Sequence, residues 1–122
     1  MKTEHQIQTQ FFKDLQFLEL KYPEVDTFYA LPNQGKRTPR GGRYMNAEGM
    51  KKGMPDTHLP VPVGEYGSLF IEFKRDAPNK SYLKPHQREV IARLREVGNC
   101  VEVARSSGEA IAITEQYMRG EL

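Results

Sequence analysis

The chain has 122 residues, with 18 Lys and Arg against 16 Asp and Glu, and a single Cys. This length predicts one domain over residues 1–122 with a single core, and it argues against several domains. One cysteine excludes an internal disulfide. No apolar run approaches the ~20 residues that span a bilayer, and no apolar stretch typical of a signal peptide follows Met1. The sequence therefore predicts a protein without membrane contact in the cytoplasm, either of a bacterium or, for a phage protein, of its host.

The positive charge is concentrated in one stretch. Residues 33–54 hold six basic side chains and one acidic one, whereas the remainder is net negative. Such a loop favours a polyanion, here DNA, as the partner. A solvated loop whose charge only maintains solubility is the alternative. The predicted nucleic-acid contacts are Asn33, Lys36, Arg37, Arg40, Arg43, Lys51 and Lys52.

An amphipathic helix is predicted from Thr3 to about Lys21. Its apolar stripe recurs at spacings of four, four and three residues: Ile7, Phe11, Leu15 and Leu18. Thr3 and Gln6 form a capping-box pattern at its start. Glu4 lies on the inward side of the first turn, where it either complements the helix dipole or lends a carboxylate to a site beneath it.

Three strands are predicted next. The first, residues 27–31, is rich in aromatic residues and is followed by a glycine-rich basic loop, residues 33–53. The second, residues 57–63, contains two prolines that restrict it to an edge or to irregular pairing. A hairpin connection at residues 64–67 leads to the third strand, residues 68–74, which is apolar on both faces and is therefore expected to be central.

The last third of the chain predicts a helix, a strand and a helix. Pro85 marks the first turn of the first of these helices, and Gly98 ends it. Its predicted apolar stripe is Val90, Ile91, Leu94 and Val97. Cys100 lies in the strand as a buried, inert thiol. The order α-β-β-β-α-β-α is of the α/β class, with a small mixed sheet flanked by helices and a parallel crossover in its second half.

Three charged residues in this framework are the candidate catalytic groups. Asp56 follows a proline, and Glu72 and Lys74 lie about 7 Å apart on one face of an otherwise apolar strand. Asp56, Glu72 and the backbone carbonyl of Phe73 offer the hard oxygen ligands that Mg²⁺ prefers, and Mn²⁺ is the other candidate ion. Such an ion neutralises charge on a phosphate and activates water. Lys74 acts either as a general base or as a group that orients the water.

Two helix residues complete the candidate set. Gln87 and Glu4 each lie near the inward N-terminal end of a helix, from which they can support the lysine, the water or the phosphate. A structural alternative makes Glu72 and Lys74 a surface pair on an edge strand, and Asp56 a turn residue. Five inward polar residues from four elements, beside a basic loop, favour a metal-dependent phosphodiesterase site.

The residues resemble the VRR-NUC domain of the PD-(D/E)xK nuclease superfamily, in its stand-alone phage and bacterial type. The resemblance rests on Glu4, Leu31-Pro32-Asn33, Gly53-Met54-Pro55-Asp56, Glu72-Phe73-Lys74 and Leu83-Lys84-Pro85-His86-Gln87, in this order. It implies a restriction-endonuclease-like core, with Asp56 and Glu72 as metal ligands and Lys74 as the catalytic lysine. It also implies a homodimeric endonuclease acting on branched DNA, such as four-way (Holliday) junctions, in DNA repair.

Two other functions remain open at this point. A non-catalytic DNA-binding module would use the basic loop and keep the acidic residues for structure. A nuclease of the same chemistry would act instead on single-stranded DNA, flaps or RNA.

Overall fold

The computed structural model describes residues 2–32 and 48–122. These residues form helix α1 (Glu4–Leu18), a 3-10 helix (Pro23–Thr27), strands β1 (Tyr29–Ala30), β2 (Thr57–Leu59) and β3 (Leu69–Phe73), helix α2 (Pro85–Glu96), strand β4 (Cys100–Ala104) and helix α3 (Ser107–Met118). The predicted order of helices and strands is confirmed. No helix in the described part of the chain has the length and hydropathy that a membrane crossing requires.

The four strands of the described residues form one mixed sheet in the order β1-β2-β3-β4. The first three strands pair antiparallel, and β4 pairs parallel to β3. A parallel neighbour requires a crossover connection, which α2 supplies. Every residue of β3 is buried, so the predicted central position of this strand is confirmed.

Helices α1 and α3 cover one face of the sheet, which we call the core face. Phe11 is fully buried there, and its ring centroid lies 5.2–5.5 Å from those of Phe12, Phe28 and Phe73. The Ser107 hydroxyl donates a 2.6 Å hydrogen bond to Asp14 between the two helices. A ring cluster of this kind contributes packing energy beyond its buried area.

Helix α2 covers part of the opposite face, which we call the site face. Its buried apolar cluster is small: Phe70, Ile91 and Val101. Leu31, Met54, Leu83 and Leu94 are partly buried against this cluster. Because side chains alternate along a strand, Glu72 and Lys74 lie on the same face as Phe70.

Two predicted strands are shorter in the structure than in the sequence pattern. Thr27 belongs to the 3-10 helix, where Val25 is fully buried, so β1 starts only at Tyr29. Strand β2 ends at Leu59 because Pro60 and the second proline after it have no N–H for the ladder. The predicted hairpin connection is accordingly longer, and a single bridge, Val63 with Tyr66, interrupts it.

The boundaries of the helices follow their capping residues. Thr3 and Gln6 form the predicted capping box at α1. Gly98 has a φ of +99°, which suits glycine at a helix end. Val97, predicted on the apolar stripe of α2, is instead 58% exposed because it caps the helix C-terminus and faces outward. Cys100 is buried as predicted, and burial raises the pKa of its thiol to about 11.

Candidate active site

Asp56 and Glu72 are brought together by the register of β2 and β3. Thr57 pairs with Ile71, so the residue before Thr57 lies opposite Glu72. The fully buried Thr57 hydroxyl donates a 2.8 Å hydrogen bond to the Ile71 carbonyl, which fixes this register. The Asp56 carboxylate accepts the Phe73 N–H at 2.8 Å, and the Glu72 carboxylate accepts the Asp56 N–H at 3.1 Å. Each carboxylate is therefore held by the backbone of the neighbouring strand.

Glu72 lies at the centre of the contacts that link these groups. Only 3% of its surface is exposed. Besides the Asp56 N–H, it accepts a 2.9 Å hydrogen bond from Gln87 Nε2, and Lys74 Nζ lies 3.4 Å from the same oxygen, Oε2. The Lys74 side chain is 5% exposed, so this is a buried ion pair and not the surface pair of the structural alternative.

Gln87 has a fixed orientation at the start of α2. Its Oε1 accepts the Lys84 N–H at 2.8 Å, which satisfies one of the backbone donors at the helix start. The amide nitrogen must then point the other way, and it donates to Glu72. Gln87 therefore faces inward as predicted, and among the described residues its partner on the sheet is the glutamate.

Burial dominates the electrostatics of the carboxylate pair. It raises the pKa of Glu72 to about 8, with the adjacent Asp56 carboxylate adding to the rise and Lys74 opposing it. Burial also raises the pKa of Asp56, against the hydrogen bond from Phe73. Glu72 is the member of the pair that keeps its proton to the higher pH, because it has the more buried carboxyl group and a negative neighbour.

The donor set fits a hard divalent cation. Two adjacent carboxylates resist ionising together, and a cation between them would remove that resistance. The Phe73 N–H points toward Asp56, and because a strand residue's N–H and C=O point to the same side, its carbonyl also faces that residue. Residues 2–32 and 48–122 contain no group of three or more His, Cys, Asp and Glu side chains placed to hold a metal. Further ligands would come from the carbonyl, water or substrate, as is usual for Mg²⁺.

Glu4 is tied to the loop that follows Lys74. Its half-buried carboxylate accepts a 2.6 Å hydrogen bond from the Ser81 hydroxyl, which itself accepts the Arg75 N–H at 2.7 Å. Arg105 Nη1 donates to the carbonyls of Arg75 and Ser81 at 2.6 and 2.8 Å. The negative charge of Glu4 adds to the rise in the pKa of Asp56.

The basic loop is described only in part. Lys51 and Lys52 are exposed at its end, whereas Asn33, Lys36, Arg37, Arg40 and Arg43 lie outside the described residues. Gly53 has a φ of +89°, and a Cβ there would lie 2.9 Å from the His86 carbonyl. Only glycine permits this approach, which holds the two lysines beside the start of α2.

Two features near the site were not predicted from the sequence. Ser81 and Arg105 stand in polar segments, and no local spacing relates Ser81 to Glu4, 77 residues earlier. Tyr29 and His58 pair across β1 and β2, and the Tyr29 hydroxyl lies 2.9 Å from His58 Nδ1. The aromatic enrichment of residues 27–31 is the sequence signal for the second feature. That signal identifies His58 as the partner of Tyr29 only when the register of β1 and β2 is known.

Known proteins match both the sequence and the fold. The family model described as "VRR-NUC domain" matches residues 4–108. A solved structure named "VRR_NUC domain protein" superposes with a TM-score of 0.72 at 25% identity, over 97% of this chain and 89% of that chain. No curated protein sequence matches this chain.

Proposed function

The chain belongs to the VRR-NUC domain family, a family of nuclease-type domains, and from this premise we propose that it is a metal-dependent endonuclease of branched DNA. The observation that carries the proposal is the buried junction at Glu72. One carboxylate there contacts the Asp56 backbone, the Lys74 ammonium and the Gln87 amide. Burial of charged groups in this way lowers the free energy of unfolding, and such groups are found preferentially at functional sites.

Asp56 and Glu72 are the residues that would hold Mg²⁺ or Mn²⁺, together with the Phe73 carbonyl. The Glu72 carboxylate is contacted by the Asp56 N–H, the Gln87 amide and the Lys74 ammonium, whereas the Asp56 carboxylate accepts the Phe73 N–H, and the two carboxyl groups also share a hydrogen bond. A carboxylate offers about four acceptor positions, so Asp56 has the larger remaining capacity. When bound, the cation supplies charge neutralisation at the phosphate and a water of lowered pKa.

The protein's own residues orient the reacting groups. Lys74 places Nζ at the edge of the carboxylate pair, where it either takes the proton of the attacking water as a neutral amine or orients that water as an ammonium. Gln87 holds the Glu72 carboxylate in place through an amide that the start of α2 has itself fixed. Glu4 extends the negative surface behind Asp56 and is fastened by Ser81.

The proposed substrate is branched DNA such as a four-way junction, cut by a homodimer with one site for each of two strands. The family membership supports DNA binding, and the family resemblance supports the branched substrate and the dimer. The exposed Lys51 and Lys52 beside α2 support a backbone contact next to the carboxylates. We also propose that the enzyme acts in the cytoplasm, either of a bacterium or of a phage-infected cell.

A substrate panel tests the proposal. Labelled four-way junction, flap, single-stranded and duplex DNA, and single-stranded RNA, are incubated with Mg²⁺, Mn²⁺ or a chelator. We expect cleavage of the junction that requires the metal and is lost in Asp56→Ala and Lys74→Ala, purified in the same way. Cleavage in the presence of chelator, or undiminished cleavage by Asp56→Ala, would overturn the mechanism.

Two further results would redirect the proposal. Salt-sensitive binding without products, with a log–log slope of roughly −0.9 per neutralised phosphate, would indicate the non-catalytic DNA-binding module. A monomeric mass at micromolar concentration in light scattering would remove paired incision by a homodimer. Preferential cleavage of flaps, single strands or RNA would keep the chemistry and change the substrate.

A further inference from the structure

Three aromatic rings form a row across the site face. The strand pairing aligns Tyr29 with His58, and His58 with Phe70. The His58 ring is stacked on the Phe70 ring, with centroids 4.2 Å apart and planes inclined by 20°. The Tyr29 ring meets His58 edge-on at 5.4 Å, and its hydroxyl lies 2.9 Å from His58 Nδ1. We call these three residues the aromatic row.

The aromatic row passes from the interior to the surface. Phe70 is buried beside Ile91 of α2, His58 is half-buried, and Tyr29 is 45% exposed. Helix α2 packs on β4, at the far side of the sheet from β1. The exposed Tyr29 ring is held in position by its hydrogen bond and edge-on contact with His58, whose ring is in turn stacked on Phe70, which lowers the entropy lost when a planar ligand stacks on Tyr29.

The row lies one pleat away from the carboxylate pair. Asp56 precedes His58 by two residues and Glu72 follows Phe70 by two, so all four side chains lie on the same face, about 7 Å apart along each strand. A phosphate bound through a cation that Asp56 and Glu72 would hold thus has the aromatic row within about the length of one nucleotide. In an intact duplex both faces of that nucleotide's base are already stacked, whereas an unpaired base has a face to offer.

Resting on the proposed function, we propose that Tyr29 stacks against an unpaired base of the DNA strand whose phosphate lies at Asp56 and Glu72. His58 positions the tyrosine through the hydroxyl and is not itself in contact with the base. The row thereby selects strands with an unpaired nucleotide at the cut, as in flaps, single strands and a junction whose branch point has opened, over continuous duplex. Stacking of this kind tolerates any base, because every base has a π face.

Binding of a fluorescent base tests this with Ca²⁺ in place of Mg²⁺, a cation that the carboxylates can hold through the same oxygen ligands. The probe is a single-stranded oligonucleotide carrying 2-aminopurine, whose emission is quenched by stacking, compared with the same strand in a blunt duplex. We expect Tyr29→Ala to weaken single-strand binding by about 5- to 100-fold and to remove the quenching. Tyr29→Phe keeps the ring and should stay within about threefold of the wild type.

Phe17→Ala is the matched control. Phe17 is 75% exposed on α1, which packs on the core face, so its removal should leave affinity and quenching unchanged. Thermal unfolding of each variant checks that the fold is kept. Because the Tyr29 side chain is exposed, its removal is expected to leave the fold intact.

Three outcomes decide the proposal. Tyr29→Ala that binds and quenches as the wild type does would overturn it. An equal loss on single strands and on blunt duplex would also overturn it, because the contact would then be to the backbone. Loss confined to single strands supports stacking, and it does so even if the substrate panel shows no metal-dependent cleavage, which would defeat only the nuclease proposal.

Discussion

The two faces of the sheet differ in what they bury. The core face encloses a continuous apolar cluster around Phe11, whereas the site face buries three apolar residues beside two charged ones, Glu72 and Lys74. Burial of apolar surface stabilises the fold, and burial of charge opposes it. The difference indicates that packing on the core face supplies most of the folding free energy. This stability offsets the unfavourable burial of Glu72 and Lys74 on the site face.

Lys74→Met is the substitution expected to reduce catalysis most while changing stability least. The change keeps the length of the side chain and removes the ammonium, so cleavage should fall by about 10²- to 10⁴-fold. The free energy of unfolding without metal should change by less than about 1 kcal/mol, because Glu72, with a pKa already raised to about 8, keeps its proton at neutral pH with or without the ammonium. Single-turnover cleavage and urea unfolding give the two quantities.

Lys13→Met is the control for this substitution, since Lys13 is exposed on α1. It should alter neither measurement. A loss of several kcal/mol in Lys74→Met would mean that the ion pair stabilises the fold, and the division between the faces would fail.

Core substitutions should give the reverse pattern. Phe11→Ala removes a fully buried ring that contacts three others, and should lower the free energy of unfolding by about 3–5 kcal/mol. Ile91→Ala, in the smaller cluster, should cost about 2–3 kcal/mol because its neighbours are only partly buried. If urea unfolding shows that the two variants lose the same free energy of unfolding, the core face does not contribute more to stability than the site face.

The stability of the metal-free protein should depend on pH through Glu72. Its pKa is raised from an ordinary value of 4.5 to about 8, so the folded state binds the proton more tightly than the unfolded state does. This contribution is complete below pH 4.5 and is lost as the pH rises to about 8, a decrease of about 4–5 kcal/mol. Urea unfolding in chelator across this window measures it.

Two controls identify the group that titrates. Glu72→Gln should flatten the decrease, and added Mg²⁺ should reduce it in the wild type by favouring the charged carboxylates. Stability that stays level from pH 5 to pH 8 in chelator would show that Glu72 ionises at its ordinary pKa in the folded state.

Ser81→Ala tests the link between the two faces. Ser81 joins Glu4, on the core-face helix α1, to the backbone after Lys74. Loss of its hydroxyl should lower the free energy of unfolding by about 1–2 kcal/mol and slow cleavage by about tenfold. Ser81→Thr keeps the hydroxyl and should restore the rate, whereas an equal defect in both variants would indicate a merely steric effect.

Local sequence patterns were sufficient for most of the fold. The capping box at Thr3, the proline at the start of α2 and the parallel crossover are short-range signals, and the structure has all three. The spacing of Glu72 and Lys74 also predicted correctly that they share a face, because the side-chain period of a strand is two.

Features that depend on distant contacts were not predictable in this way. The 3-10 helix replaces part of the predicted first strand because Val25 fills the core, and its sequence alone does not indicate this. The partner of Glu4 lies 77 residues away, in a turn with no distinguishing pattern. The aromatic row exists only once β1, β2 and β3 are aligned, since its members are far apart in the chain.

The burial of Cys100 has a practical consequence for measuring how this protein meets DNA. The chain has one cysteine, and its thiol is 4% exposed with a pKa near 11, so it reacts slowly with maleimides at neutral pH. A second cysteine at an exposed position, such as Phe17→Cys or Tyr82→Cys, would therefore take up a dye selectively in the native protein. Site-specific fluorescence is accessible without first removing the native thiol.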